Sequence, residues 1–270
     1  MSYDADSHNA GTSGSPFCGH SAFISDVHLG TPGCRAEPLL AFLGKLKVAH
    51  LYLVGDIIDF ERMQHHVYWP DSHSAVIRRI LDIASNGTEV TYIPGNHDAN
   101  LRIFAGTDLH GVKLRMNAIH TTVDQRRLLV THGDQFDAKL RIGSFKEKIG
   151  SVAYGWLLGL DNNVNRVRDK LGFDRLRLAS SLKMRFKSAQ QYIEDYEITA
   201  REHAAQRNLD GIVCGHIHKP ATLMRNGVTY YNDGDWVEHC SAVIEDNNGV
   251  LNTIHCHDLT ESNMTTPQAA

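Results

Sequence analysis

Five short polar clusters in this chain are built from side chains that hold divalent metal ions. They are Asp26 and His28 in DVH, Asp56 in GD, Asn96, His97 and Asp98 in GNHD, His132 in HGD, and His216 and His218 in GHIH. Asp26, His28, Asp56, Asn96, His132, His216 and His218 are seven oxygen or imidazole donors. That is about the number two first-row ions need when they share one carboxylate and water completes each shell. Asp56 is central in the pattern and suits the shared position. Histidine with carboxylate suits Mn²⁺, Fe²⁺, Co²⁺ or Zn²⁺, and the lack of thiolate argues against a structural zinc site. Such a pair of ions, roughly 3.5–4 Å apart, clamps the oxygens of an in-line phosphoryl displacement and acidifies a water between them. His97 is surplus to the ligand count. It is free to hydrogen-bond a phosphoryl or leaving-group oxygen, and Asp98 is a candidate to orient it, as carboxylates orient imidazoles in other hydrolytic sites.

Each cluster follows a short apolar, β-rich run. The runs are SAFISDVH, HLYLVGDIID, EVTYIPGNHD, RRLLVTHGD, GIVCGHIH and TYYNDGDW, the last ending in Asp and Trp with no ligand assigned. Strands of an open α/β sheet deliver side chains to a crevice at their carboxyl ends in this way. Helical stripes alternate with the first strands. One lies over residues 35–47 through Leu39, Leu40, Leu43 and Leu46, and another over 73–86 through Val76, Ile77, Ile80, Leu81 and Ile83. Asp71 or Ser72 is placed to cap the second. Alone, D-x-H or GD is an ordinary turn. All five clusters in order, each behind its own strand, point to one site.

Residues 138–207 break this rhythm. They carry helix formers, an apolar patch AYGWLLGL, and 14 Lys and Arg against 8 Asp and Glu. The expectation is a helical insertion, too long for a loop. The divisions are a disordered tail over 1–19, a core over 20–137 and 208–258, the insertion over 138–207, and a disordered tail over 259–270.

Composition removes whole classes. With 270 residues, 42% hydrophobic and 21% charged, the chain is globular, neither disordered throughout nor fibrous. No apolar run approaches the roughly 20 residues of a spanning helix. A net charge of −4 counts against a partner held by phosphate contacts, so no stable nucleic-acid partner is expected. The start is polar and acidic, unlike a secretory signal. The five cysteines are dispersed and odd in number, as in a cytosolic protein.

DVH, GD, GNHD, HGD and GHIH in this order resemble the calcineurin-like metallophosphoesterases, over roughly residues 20–137 and 208–257. The resemblance implies a four-layer αββα sandwich with a dimetal site at the strand ends. Asp26, His28, Asp56 and His218 would hold one ion, and Asp56, Asn96, His132 and His216 the other. His97 would be the catalytic histidine. THGDQFD, the insertion, GHIHKPA and NDGDWVEHCSAVIED are similar more narrowly to the UDP-2,3-diacylglucosamine diphosphatase group of lipid A synthesis. That similarity implies hydrolysis of a lipid-linked nucleotide sugar to UMP and 2,3-diacylglucosamine 1-phosphate, with Mn²⁺ as cofactor and the insertion as a lid over the acyl chains. The best-defined branch of that group has Arg where this chain has His97.

Basic and apolar surface together suit such a lid, and also peripheral docking on the anionic cytoplasmic face of an inner membrane. Arg166, Lys170, Arg177 and Lys187 are the candidates for substrate contact. A solvated charged face explains the same residues without function. The alternatives are a phosphodiesterase or phosphatase of another small ester or nucleotide, a nuclease of identical chemistry, and a non-catalytic scaffold. The full ligand set argues against the scaffold.

Overall fold

A computed structural model describes residues 17–137 and 179–256. In chain order these form β1 (Phe17–Cys18), β2 (Ser21–Ile24), α1 (Ala36–Lys45), β3 (Leu46–Lys47), β4 (His50–Leu53), α2 (Phe60–Met63), α3 (Asp71–Ser85) and β5 (Glu89–Tyr92). A 3₁₀ turn (Ala99–Phe104) leads to β6 (Asp108–Leu109), β7 (Val112–Leu114), β8 (Ala118–Thr121) and β9 (Arg127–Val130). Then come α4 (Ala179–Ala205), β10 (Gly211–Cys214), β11 (Ala221–Arg225), β12 (Val228–Asn232), β13 (Ser241–Glu245) and β14 (Leu251–His255).

Two sheets make the frame. The larger has the order β14-β13-β2-β4-β5-β7-β6, the smaller β11-β12-β10-β9-β8. At the centre of each the strands are parallel: β2, β4, β5 and β7 in one, β9, β10 and β12 in the other. The six strand-like runs read from sequence are therefore β2, β4, β5, β9, β10 and β12, and each ligand cluster leaves a parallel strand at its carboxyl end.

Side chains alternate across each strand and fill two different layers. Phe23, Tyr52, Val54, Leu128, Val130, Val213, Tyr231 and Val243 meet between the sheets. Ala22, Ile24, Leu51 and Leu53 face the other way, onto α1 and α3 through Leu39, Phe42, Leu43, Val76 and Ile80. Leu129, Ile212, Cys214 and Tyr230 face Tyr196, Ala200 and Ala204 of α4. Strands buried on both faces read as continuous apolar runs, which is how these six appear. The layers are helix, sheet, sheet, helix, the αββα sandwich expected.

The boundaries shift in four places. Phe17 and Cys18, placed in the tail by sequence, pair with Leu46 and Lys47. The first helix stops at Lys45 because Leu46 is already extended, with ψ of 129°. The second starts at Asp71 behind Pro70, with no side-chain cap, so neither Asp71 nor Ser72 caps it. Residues 179–205 were read within the insertion, but the last turns of α4 are the outer layer of the smaller sheet. AYGWLLGL, Arg166, Lys170 and Arg177 lie outside the described residues, and of Lys187 only its place on α4 is described.

At the end opposite the ligands, a buried polar bolt joins the sheets. His120 of β8 sets Nε2 2.7 Å from Glu245 Oε2 of β13, and Tyr52 of β4 lies 3.2 Å from His120 Nδ1. Glu245 Oε1 also accepts the Val123 N–H at 2.7 Å. Burial alone would raise the Glu245 carboxyl, but the hydrogen bonds from His120 and Val123 outweigh it and hold it below the ordinary glutamate value. Glu245→Ala leaves His120 and the Val123 N–H stranded, and breaking a buried pair costs about 3–5 kcal/mol. A group with a lowered folded pKa contributes fully above its unfolded value and loses that contribution as pH falls through the folded one. Urea denaturation should therefore show a deficit of that size at neutral pH that narrows below about pH 4. A deficit unchanged by acid would mean that packing, not charge, is at stake.

Candidate metal centre

The turns that end the parallel strands are strained at the ligands themselves. Asp26, His28, Asp56, His216 and His218 all have positive φ, between 50° and 69°. A non-glycine residue there costs on the order of 1–3 kcal/mol and persists only where its surroundings over-determine it. Glycines sit beside them because the side chains leave no room. A Cβ on Gly95 would run into Asp56 Oδ1 and His132 Nε2, and one on Gly215 into Ser25 Oγ and Asp26 Oδ2.

Asp26, His28 and His218 form one ligand group, and Asp26, Asp56 and His132 another. In the first, Asp26 Oδ1 is 3.1 Å from His218 Nε2 and 3.9 Å from His28 Nε2, and the two imidazole Nε2 atoms are 3.3 Å apart. Asp26 Oδ1 is fully buried yet has no partner in hydrogen-bonding geometry. An orphaned carboxylate oxygen facing two convergent imidazole nitrogens is what a cation site requires and what an ordinary hydrogen-bonded core avoids. In the second, His132 Nε2 lies 3.3 Å from Asp56 Oδ2 and 3.2 Å from Asn96 Oδ1. Its Nδ1–H donates to Val54 O at 2.8 Å, which leaves Nε2 for a metal. His216 stacks edge-on against His132 with centroids 5.2 Å apart, but its Nε2 is turned to Asp137 Oδ2 at 3.2 Å. All seven sequence-selected ligands thus gather at one place, with His216 paired to a carboxylate that the sequence reading did not select.

The buried carboxylates and imidazoles shift one another's charge. Burial would raise Asp26, yet His218, His132 and His28 hold it far below the usual carboxylate range. Asp56 is held low by His132 against its own burial. The imidazoles move oppositely. Burial pushes His218 down, but Asp26 dominates and lifts it to about 9, and Asp56 lifts His132 well above its ordinary value in the same way.

The His97 side chain is 21% exposed at the edge of this centre, and its backbone N–H donates to Asp56 Oδ1 at 2.8 Å. The group that orients its ring is Asp59. Asp59 Oδ1 is 3.0 Å from His97 Nδ1 while its Oδ2 is 3.0 Å from His28 Nδ1, so one carboxylate fixes a ligand and the spare histidine together. Asp59 also caps α2 through Arg62 N at 2.7 Å. Burial lowers the His97 pKa, but Asp59, Asp56 and Glu61 outweigh it and raise it overall.

The orienting role given to Asp98 is therefore corrected. Asp98 is 0% exposed and spends its oxygens on Tyr92 Oη at 2.5 Å, Gly95 N at 2.5 Å and Ile57 N at 2.9 Å. It ties the GNHD loop to the turn after β4 and does not reach the His97 ring; adjacency in sequence was the wrong guide. In the last cluster, Trp236 packs on Phe42 and donates its backbone N–H to Asp26 O. His239 Nδ1 lies 2.6 Å from Asp235 Oδ2.

Asp59→Ala should lower metal affinity about 10–100-fold, since it removes the partner of a ligand imidazole. His97→Ala should leave metal content near that of the parent. Metal analysis after dialysis checks both, and loss of metal from the His97 variant would make it a ligand.

The sequence profile described as calcineurin-like phosphoesterase matches residues 20–220. Curated relatives include a UDP-2,3-diacylglucosamine hydrolase of Porphyromonas gingivalis, 21% identical over 83% of this chain and 93% of its own. Another of the same name, from Haemophilus influenzae, is 24% identical over 84% of this chain and 94% of its own. Among solved structures, the phosphoesterase Yfce from E. coli aligns over 89% of this chain and 94% of its own, with 17% identity and a TM-score of 0.47.

Proposed function

Because the chain belongs to the calcineurin-like phosphoesterase family, and is thus a metal-dependent phosphoester hydrolase, we propose that its substrate is UDP-2,3-diacylglucosamine. The reaction in this reading is cleavage of the pyrophosphate to UMP and 2,3-diacylglucosamine 1-phosphate. The observation that carries it is the similarity to hydrolases of that name over more than four-fifths of both chains, with every metal ligand present. The seven-donor set fits two divalent ions, Mn²⁺ in this proposal. Asp26, His28, Asp56 and His218 would hold one, and Asp56, Asn96, His132 and His216 the other. When bound, the ions supply charge stabilisation at the phosphoryl group and a water acidic enough to attack at neutral pH.

The chain's own groups do the rest. Asp59 takes the His97 Nδ1–H, which leaves the far side of the ring for an oxygen of the substrate. The carboxylates of Asp59, Asp56 and Glu61 raise the His97 pKa against its burial and so favour the protonated ring, which donates a hydrogen bond to the phosphoryl or leaving-group oxygen. In this reading the part of 138–207 that precedes the last turns of α4 acts as the lid for the acyl chains, and Arg166, Lys170, Arg177 and Lys187 are the candidates for substrate contact. No helix among the described residues is long and apolar enough to cross a membrane. We place the protein in the cytoplasm, in peripheral contact with the inner-membrane face where such a lipid resides.

Mn²⁺-loaded protein incubated with UDP-2,3-diacylglucosamine should release UMP and the diacylated sugar phosphate, and a chelator should stop it. Hydrolysis of a chromogenic phosphodiester without UMP release would retain the phosphoesterase and discard the lipid substrate. That outcome is the one His97 favours, as it stands where the best-defined diphosphatases carry Arg. Deleting 138–178 should spare the chromogenic ester and abolish turnover of the lipid; equal loss on both would make the segment structural.

A further inference from the structure

The NDGD stretch after β12 ends a strand as the ligand clusters do, yet it supplies no ligand. Its purpose emerges from counting protons around Ser25. Ser25 Oγ lies 2.5 Å from Asp26 Oδ2, 2.6 Å from Asp233 Oδ1 and 3.3 Å from Gly234 O. Ser25 and both carboxylates are buried, with Asp26 and Asp233 at 0% exposure. A hydroxyl has one proton to give. Were both carboxylates ionised, one anionic oxygen would press on a bare lone pair in a dry interior, an expensive arrangement.

One added proton resolves this, and its place follows from the neighbours. Asp26 has His218 and His28 within ion-pairing distance and His132 close by, whereas among the described residues no cationic side chain pairs with Asp233, on which His132 acts only at a distance, and Asp233 Oδ2 has no hydrogen-bond partner. Burial lifts the Asp233 carboxyl well above the ordinary range against the Ser25 hydrogen bond, and the charge of Asp26 adds to the lift. The hydrogen bonds then run in one direction. Asp233 Oδ1–H donates to Ser25 Oγ, and Ser25 Oγ–H donates to Asp26 Oδ2. Asp26 Oδ2 takes a second bond from His216 N at 2.9 Å. Its other oxygen, Oδ1, is the orphan that faces His28 and His218.

We infer that Asp233 is a positioning residue that works as a neutral acid: through Ser25 it locks the Asp26 carboxylate with Oδ1 turned to the cation. The inference rests on the metal-centre reading above. The arrangement bridges the two sheets, because Ser25 follows β2 of the larger and Asp233 follows β12 of the smaller. The rest of NDGD holds Asp233 in place. Asn232 Nδ2 donates to Gly215 O at 2.7 Å, Gly234 N donates to Asn232 Oδ1 at 3.0 Å, and Ser241 Oγ donates to Asp233 O at 2.8 Å. A neutral acid positions Asp26 without placing a third negative charge beside Asp26 and Asp56.

The test compares Asp233→Asn, Asp233→Ala and Ser25→Ala by titrating each metal-free protein with Mn²⁺ in a calorimeter. Asparagine supplies an N–H where the acid supplies its O–H. It should keep affinity within about threefold, while the two alanine variants lose about 10–100-fold. Asparagine falling as far as alanine, or all three binding like the parent, overturns the proposal. Infrared spectra of the parent at pH 7 should also show the carbonyl band of a buried protonated carboxyl that Asp233→Asn removes. Absence of that band overturns the neutral acid even if an alanine variant fails to fold. Parent protein that binds no Mn²⁺ overturns the metal centre itself, which the infrared band distinguishes from failure of the acid.

Discussion

Asp26 and Asp56 are ionised carboxylates buried almost completely, and among the described residues their ion-pair partners are all histidines. An anion taken out of water needs compensation worth several kcal/mol, and neutral imidazole gives little of it. The surrounding architecture answers that demand. Parallel strands in two facing sheets end at one level, so loops from opposite sheets bring donors together from distant parts of the chain. The sheets hold this level through alternating apolar contacts between them and the His120–Glu245 bolt at the far end. Positive φ at five ligands is the local strain that follows from bending each strand end inward.

Much of this was legible in the chain. The six parallel strands were visible because strands covered on both faces read as uninterrupted apolar runs, and each run stopped at a donor. The candidate ligands were visible because D-x-H and H-x-H each set two donors in one turn and Asp56, Asn96 and His132 each follow an apolar run. What sequence hid was pairing through space. Asp98 is next to His97 but buried beneath it, while Asp59, 38 residues earlier, reaches the ring because it caps α2 against the GNHD loop. The same blindness concealed Ser25 and Asp233, which are 208 residues apart. The last turns of α4 read as insertion in the sequence because small and aromatic residues at Tyr196, Ala200 and Ala204 show no sheet to pack on until the sheet exists.

Asp59 shows how economically the centre is organised. Its two oxygens take the Nδ1 atoms of His28 and His97, so the orientation of a ligand and that of the partly exposed histidine cannot change independently. In the proposed arrangement Asp233 and Ser25 do for Asp26 what Val54 O does for His132: each holds the side of a candidate ligand that faces away from the cation site. A centre held from behind at several points is pre-organised, so its donors need little rearrangement to receive a cation.

Protons and metal ions therefore compete for the same buried charge. With His218 raised to about 9 by Asp26 and His132 raised by Asp56, the metal-free centre favours protonated imidazoles against those carboxylates. An ion binds only where the imidazole has lost its proton, so loading the centre releases protons and apparent affinity climbs with pH. Asp233 makes no ion pair with a histidine among the described residues, and its burial opposes loss of the proton. The Ser25 hydroxyl, between Asp233 and Asp26 Oδ2, holds the far oxygen of Asp26, which leaves Oδ1 turned to the histidines where an ion would exchange with their protons.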